Sequence, residues 1–354
     1  MKRARVGVIG AGWWACTAHL PTLRDDDRVE LVALADPNAT KLSVAGEHFG
    51  VSKLYRDHAE LIANEDLDGV VIAVPHAFHY EIARAALDAG LHVLLEKPMV
   101  LKSSDAWDLV TRSEAAGCHL VIGYESHFTR HAAAARDLVQ SGQIGEILFI
   151  SGLLTSMAES FYRGRSDDYA SVFDFAIAQP DETTYSSVEV SGGGQGQTQV
   201  THAMGLILWT TGLRATQVSA FVDGFGLPVD LADAISFRLD NSAIGTMGST
   251  GSLRPTQPWQ LDFRYYGSEG YILHDTYRGE LAVYFNNGKS EVFSPLEPSE
   301  ISPPSAPARC LVDLILGEGE NLAPGVIGAR TVEFLEAAYR SAAEQRSVAI
   351  SELV

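Results

Sequence analysis

Gly10-Ala11-Gly12-Trp13-Trp14-Ala15 directly follows an apolar run at 6–9. A G-x-G-x-x-G/A segment between a strand and a helix suits phosphate chemistry. The first glycine permits a tight turn, the second lets backbone approach a pyrophosphate, and the small last residue lets helix and strand pack closely. Asp36 closes the next apolar run, 24 residues beyond Gly12, near the spacing at which an acid bonds the ribose hydroxyls of an adenosine. Its carboxylate repels a 2′-phosphate and no arginine follows it immediately, so the two motifs together favour NAD over NADP. Trp13 and Trp14, inside the turn, could cover a dinucleotide or simply pack.

A second set of residues lies where strands end. Val74-Pro75 closes one apolar run and Glu96-Lys97-Pro98 the next, which puts both at the carboxyl edge of a sheet, where ligands bind in open α/β folds. A lysine there can hydrogen-bond a substrate hydroxyl and share its proton while hydride leaves the same carbon, provided its surroundings lower its pKa. His76 with His79, and His127 with His131, have helical spacing, but no third ligand of the right kind is near, so a metal is not expected.

The elements that must position these residues follow from periodicity. Through residue 125, unalternating apolar runs at 6–9, 31–35, 70–74, 92–95 and 120–123 are separated by amphipathic helical stretches such as 80–89 and 103–116. Strands covered on both faces with a helix between each pair make a doubly wound, parallel α/β sheet. One more helix, at 131–140, leads into strand patterns at 147–156, 215–222, 234–239, 244–249, 260–266 and 281–285, a mostly antiparallel α+β arrangement. A helix at 197–209 interrupts it, and helices at 308–316 and 330–344 follow a proline-rich stretch. The division is therefore a domain of residues 1–125 and a second of 126–354, its C-terminal helix packing back.

Composition narrows the class. A chain of 354 residues with 46% hydrophobic content suits two cores. Its net charge of −19 disfavours nucleic acid and anionic membranes as partners. The three scattered cysteines form no CxxC pair, no signal-peptide stretch precedes the first strand, and no window reaches the roughly 18 apolar residues of a membrane span. A cytoplasmic location is the expectation.

Val8-Ile9-Gly10-Ala11-Gly12, the run from Asp68 to Pro75, His79, and the segment from Ala89 to Pro98 resemble the glucose-fructose oxidoreductase/inositol dehydrogenase/MocA (Gfo/Idh/MocA) family. So do Ser141-Gly142-Gln143-Ile144-Gly145-Glu146-Ile147, the triplet Gly192-Gly193-Gly194 with His202, and Ala337-Ala338-Tyr339-Arg340-Ser341. The resemblance implies an N-terminal Rossmann domain, a C-terminal domain with an open sheet, and sugar or polyol substrates. It implies Lys97 as the catalytic lysine, a cis Lys97-Pro98 bond, and His202 as the substrate-site histidine. It also implies a dinucleotide site bounded by Val74, Pro75, His79 and Glu96, and homodimers or homotetramers joined through the open sheet face.

Departures from the family pattern matter. After the triplet the family carries D-x-G-x-H-x-x-D; here Thr198, Val200 and Gly205 replace the first Asp, the Gly and the last Asp, leaving the histidine without a carboxylate partner. Thr198 and His202, four apart on a helix, share a face and could reach one substrate, with Gln195 and Gln199 in a neighbouring row. Ser126 and His127, after Tyr124, replace a frequent basic pair, which argues against an anionic group on the substrate. Tyr124 and Arg163, the latter in the polar loop Tyr162-Arg163-Gly164-Arg165, complete the substrate-side candidates. The expected function is NAD(P)-dependent oxidation or reduction of a secondary hydroxyl on a sugar, glycoside or cyclitol, with Lys97 exchanging the proton and His202 assisting. The alternatives are an NAD-dependent glycoside hydrolase or lyase acting by transient oxidation, and a dinucleotide and sugar sensor without turnover.

Overall fold

A computed structural model of the protein describes residues 3–173, 175 and 177–353. Six parallel strands, β1 (Ala4–Ile9), β2 (Val29–Ala35), β3 (Lys53–Tyr55), β4 (Gly69–Ile72), β5 (His92–Leu95) and β6 (Leu120–Ile122), form a sheet in the order β3-β2-β1-β4-β5-β6. Every residue of β4, and Val93 to Leu95 of β5, is buried, as expected of strands covered by helices on both faces. The strand order reverses between β1 and β4, so their carboxyl ends open a crevice at the topological switch point. The edge strand β3, short and largely exposed, carries no apolar run and was absent from the sequence pattern for that reason.

The second sheet has nine strands: β7 (Ile147–Thr155), β8 (Ala215–Asp223), β9 (Ala232–Leu239), β10 (Ile244–Thr250), β11 (Gln260–Gly267), β12 (Gly270–Asp275), β13 (Glu280–Phe285), β14 (Ser290–Val292) and β15 (Val348–Ala349). Their order is β14-β13-β12-β11-β7-β10-β9-β8-β15, antiparallel throughout except for the parallel β7/β10 pair. Burial alternates along β9 and β11, so one face is covered and the other open. The strands β12, β14 and β15 were not anticipated; β14 and β15 are only three and two residues long.

Two helices join the sheets. The helix Thr201–Thr211 is buried at all but one position. The C-terminal helix Gly325–Glu344 reaches both halves: Trp107 Nε1 donates to Glu333 Oε1 at 2.8 Å and Ser103 N to Glu336 Oε2 at 2.7 Å, while Ala220 N of β8 donates to Ser341 Oγ at 2.9 Å. Among the described residues, no helix is long and apolar enough to cross a membrane.

Candidate active site

A cavity of about 770 Å³ runs along the carboxyl edge of the parallel sheet. At one end lies the glycine turn. Gly10 has φ 99°, and a Cβ there would stand 2.2 Å from the Ala73 carbonyl oxygen, so only glycine fits between β1 and β4. A Cβ on Gly12 would meet nothing within 4 Å, and Gly12 lines the cavity; the space a side chain would take is open to a ligand. Asp36 braces the turn, accepting from Ala11 N at 2.8 Å and Asn38 N at 2.7 Å. Arg56, brought in by the unanticipated β3, lines the cavity beside Asp36 with its guanidinium donating to the Pro37 carbonyl. The turn, the open Gly12 and an acid at the end of β2 fit an NAD pyrophosphate and ribose.

The first helix departs from the simple strand–turn–helix reading. It opens as a π-type turn, Ala15–His19, before a short α-helix, Leu20–Arg24. Trp13 and Trp14 both line the cavity. Trp13 packs against Phe161, Phe173 and Phe175 and donates to Tyr185 OH at 3.2 Å. Trp14 Nε1 donates to Glu96 Oε1 at 2.8 Å.

Val74, Pro75, Glu96 and Lys97 line the middle of the cavity, and the Lys97-Pro98 peptide is cis. Glu96, 7% exposed, gathers the surrounding donors: Trp14 Nε1 and His19 Nε2 each lie 2.8 Å from Oε1, and Lys97 N donates to Oε2 at 3.1 Å. Gly123, after β6, leaves the room, since a Cβ there would lie 2.6 Å from the carboxylate. His79, expected at the dinucleotide, does not line the cavity. It is enclosed, with Nδ1 2.8 Å from Pro98 O and Nε2 2.9 Å from Val74 O, so its single ring N–H goes to a carbonyl at the end of β4 or just beyond β5 and not to a ligand.

Lys97 Nζ donates to the main-chain oxygen of Thr198 at 3.0 Å. Burial pushes this amine below its ordinary range, partly opposed by the charges of Glu96 and Glu125. A partly enclosed amine whose neutral form is favoured is suited to exchanging a proton with a hydroxyl. Thr198 and His202 both line the cavity, but the segment between them is a π-type turn, Gly196–Val200, so the four-residue α-helical facing does not hold. The Thr198 hydroxyl donates to Gly194 O at 2.8 Å and sits 2.5 Å from Tyr162 OH; Thr198 therefore presents its carbonyl, not its side chain, to Lys97. Gln199 lines the cavity, whereas Gln195 is fully buried and bonded to Ser156 and Ser249.

Two substrate-side candidates fall elsewhere. Tyr124 is 1% exposed, its hydroxyl 3.2 Å from Thr201 Oγ1 and its ring packed under Gly205; it belongs to the core between the two sheets. Arg163 is exposed and doubly bonded to Glu159 Oε1 at 3.0 and 2.7 Å, pinned one turn back along its own short helix. The carboxylate that the sequence left missing is supplied from another part of the chain. Glu125 Oε2 lies 3.5 Å from His202 Nδ1. Burial raises the Glu125 carboxyl and lowers His202 well below the usual imidazole value. The strand-end rule that singled out Lys97 after β5 would have found Glu125 after β6. Tyr162, Trp259 and Tyr277 also line the cavity, and no local pattern marks them.

Comparison with known proteins agrees with this architecture. Residues 4–124 match the model of an oxidoreductase family with an NAD-binding Rossmann fold, and residues 132–273 match a GFO/IDH/MocA C-terminal domain. A 1-carboxy-3-chloro-3,4-dihydroxycyclohexa-1,5-diene dehydrogenase from Comamonas testosteroni is 35% identical over 161 residues, 46% of this chain and 40% of that protein. A D-apiose dehydrogenase from Paraburkholderia graminis is 34% identical over 145 residues, 41% of this chain and 38% of that protein. Each alignment thus spans less than half of the relative. Among solved structures, an oxidoreductase domain protein from Kribbella flavida superposes with a TM-score of 0.80 at 21% identity, over 99% of this chain and 100% of that one. An oxidoreductase from Agrobacterium radiobacter, solved with NAD+, L-tartaric acid and magnesium, does so at 0.79 and 20% identity over the full length of both. With family models matched in both halves, the chain belongs to the Gfo/Idh/MocA family of oxidoreductases with an NAD-binding Rossmann fold.

Proposed function

We propose that this protein is an NAD-dependent dehydrogenase that oxidises or reduces a secondary hydroxyl of a sugar, glycoside or cyclitol. The observation that carries the reading is the Lys97 amine, half-buried on the cavity wall between the glycine turn and His202 and held at 3.0 Å by the Thr198 carbonyl. NAD supplies the acceptor for the hydride. Asp36 orients the adenosine end, and the absence of a side chain at Gly12 admits the pyrophosphate. Lys97 takes the proton of the substrate hydroxyl in oxidation and returns it in reduction. His202, neutral because it is buried, orients the same hydroxyl, with Gln199 beside it. The named activities of the inositol and D-apiose dehydrogenases among the relatives support the substrate class.

The same reading includes assembly as a homodimer or homotetramer through the open sheet face, supported by the stacked row Tyr266, Tyr271 and Tyr284, with ring centroids 5.5 and 5.0 Å apart. A cytoplasmic location is supported by the three free cysteines. The test is absorbance at the reduced-nicotinamide band with NAD or NADP and a panel of sugars, glycosides and inositols. A rise with one of them is expected. Disappearance of a glycoside without net reduced nicotinamide would replace dehydrogenation by redox-cycling hydrolysis or elimination, and binding without either would leave a sensor.

A further inference from the structure

His202 Nδ1 is enclosed and makes no hydrogen bond within ordinary limits, and the carboxylate approaching it is Glu125 Oε2 at 3.5 Å. Glu125 stands at the carboxyl end of β6, lines the cavity, and keeps 16% of its side chain exposed. On its other side the Ser302 hydroxyl, from an exposed turn, donates to Glu125 Oε1 at 3.4 Å. The carboxylate thus stands between the half-buried His202 and the protein surface.

Resting on the assignment of Lys97 and His202 to the reactive site, we propose that Glu125 is the positioning carboxylate of this site. It holds His202 as the Nδ1–H tautomer, leaving Nε2 as the acceptor toward the cavity.

Burial raises the carboxyl of Glu125 and lowers the imidazole of His202, so the ring facing the carboxylate is neutral and its tautomer is set by which nitrogen meets an acceptor. The other groups bearing on the pair are Glu96, which acts on both Lys97 and Glu125, His127 beside His202, and Tyr277 beside Glu125. None of these is placed to replace Glu125: Glu96 is already bonded by Trp14 and His19, and the His127 ring is stacked on Trp209. The arrangement also accounts for Thr198 at the position where the family pattern has Asp, because the carboxylate has moved from the helix to the end of β6.

The test needs no turnover. In the full-length protein labelled with 15N-histidine, with NAD present, the His202 nitrogens are assigned with His202→Gln and followed over a pH series. The expected result is a Nδ1–H tautomer whose shifts show an inflection above the ordinary carboxylate range, from Glu125. That inflection is lost in Glu125→Gln and kept, displaced, in Glu125→Asp. Superimposable His202 traces in wild type and Glu125→Gln, or an Nε2–H tautomer, would overturn the proposal. Should Glu125→Gln fail to fold by circular dichroism, the Asp variant decides: an unmoved inflection refutes the assignment. A protein that oxidises no sugar would defeat the dehydrogenase reading and leave this measurement intact.

Discussion

Replacing Gly194 with alanine should unseat the reactive helix. An ideal Cβ at Gly194 would lie 2.0 Å from the main-chain oxygen of Asp230, whereas ordinary contact begins at 3.4 Å, so backbone must yield by 3.4 − 2.0 = 1.4 Å. Room is lacking, because three backbone amides tie the segment to Asp230: Gly194 N and Gly196 N donate to its carboxylate at 2.7 and 2.6 Å, and Gln195 N to its carbonyl at 2.9 Å. Tyr339 OH donates to the same carboxylate at 2.9 Å, anchoring it to the C-terminal helix. Overpacking of this kind costs about 1–3 kcal/mol, and breaking a buried hydrogen bond to a charged group adds about 1.5–3 kcal/mol. Gly194→Ala should therefore lose roughly 3–5 kcal/mol in urea unfolding, and any folded protein should have Thr198 O displaced from Lys97. A loss under about 1 kcal/mol would refute the reasoning, because it would mean that the glycine segment moves freely against Asp230.

Gly12→Ala is the converse case: with nothing within 4 Å of its Cβ, the unfolding midpoint of the NAD-free protein should not move, while NAD affinity measured by tryptophan quenching should drop at least about tenfold. Asp36→Ser, which removes the repulsion of a 2′-phosphate while Arg56 and Lys41 still line that end of the cavity, should shift the NADPH/NADH affinity ratio by about tenfold or more; an unchanged ratio would show that Asp36 does not select the cofactor. Burial favours the neutral form of Lys97, so its folded pKa lies below 10.5. Turnover in the oxidative direction should accordingly rise with pH through that lowered value and level off before 10.5. Lys97→Met should abolish the rise and cut kcat by about 10²–10⁴ with NAD binding intact.

Much of the architecture was legible because it depends on local pattern. Val70 to Ile72 and Val93 to Leu95 read as doubly covered strands, and they are buried throughout. The glycine turn and Asp36 were recognisable because their spacing is set by one strand–helix–strand unit. What was not legible depends on contacts distant in sequence. Five residues of π-type turn at Gly196–Val200 look like α-helix to any periodicity argument, yet they change which atom of Thr198 faces Lys97. His79 and Tyr124 lie in the right segments, but whether a polar side chain faces a cavity or is consumed by neighbouring carbonyls and hydroxyls is decided only by packing. Glu125 was overlooked because a carboxylate partner was sought one helical turn from His202, while the fold supplies it from 77 residues away (202 − 125).

The hydrogen bond from Lys97 to the main-chain oxygen of Thr198 frees position 198 from a duty that a side chain would otherwise carry. A carbonyl is present whatever residue occupies the site, so mutation can reshape the cavity wall there without unpinning the amine. The wall of the cavity can then change along the helix while the Lys97 amine stays where it is, and a new lining need not begin from a displaced lysine.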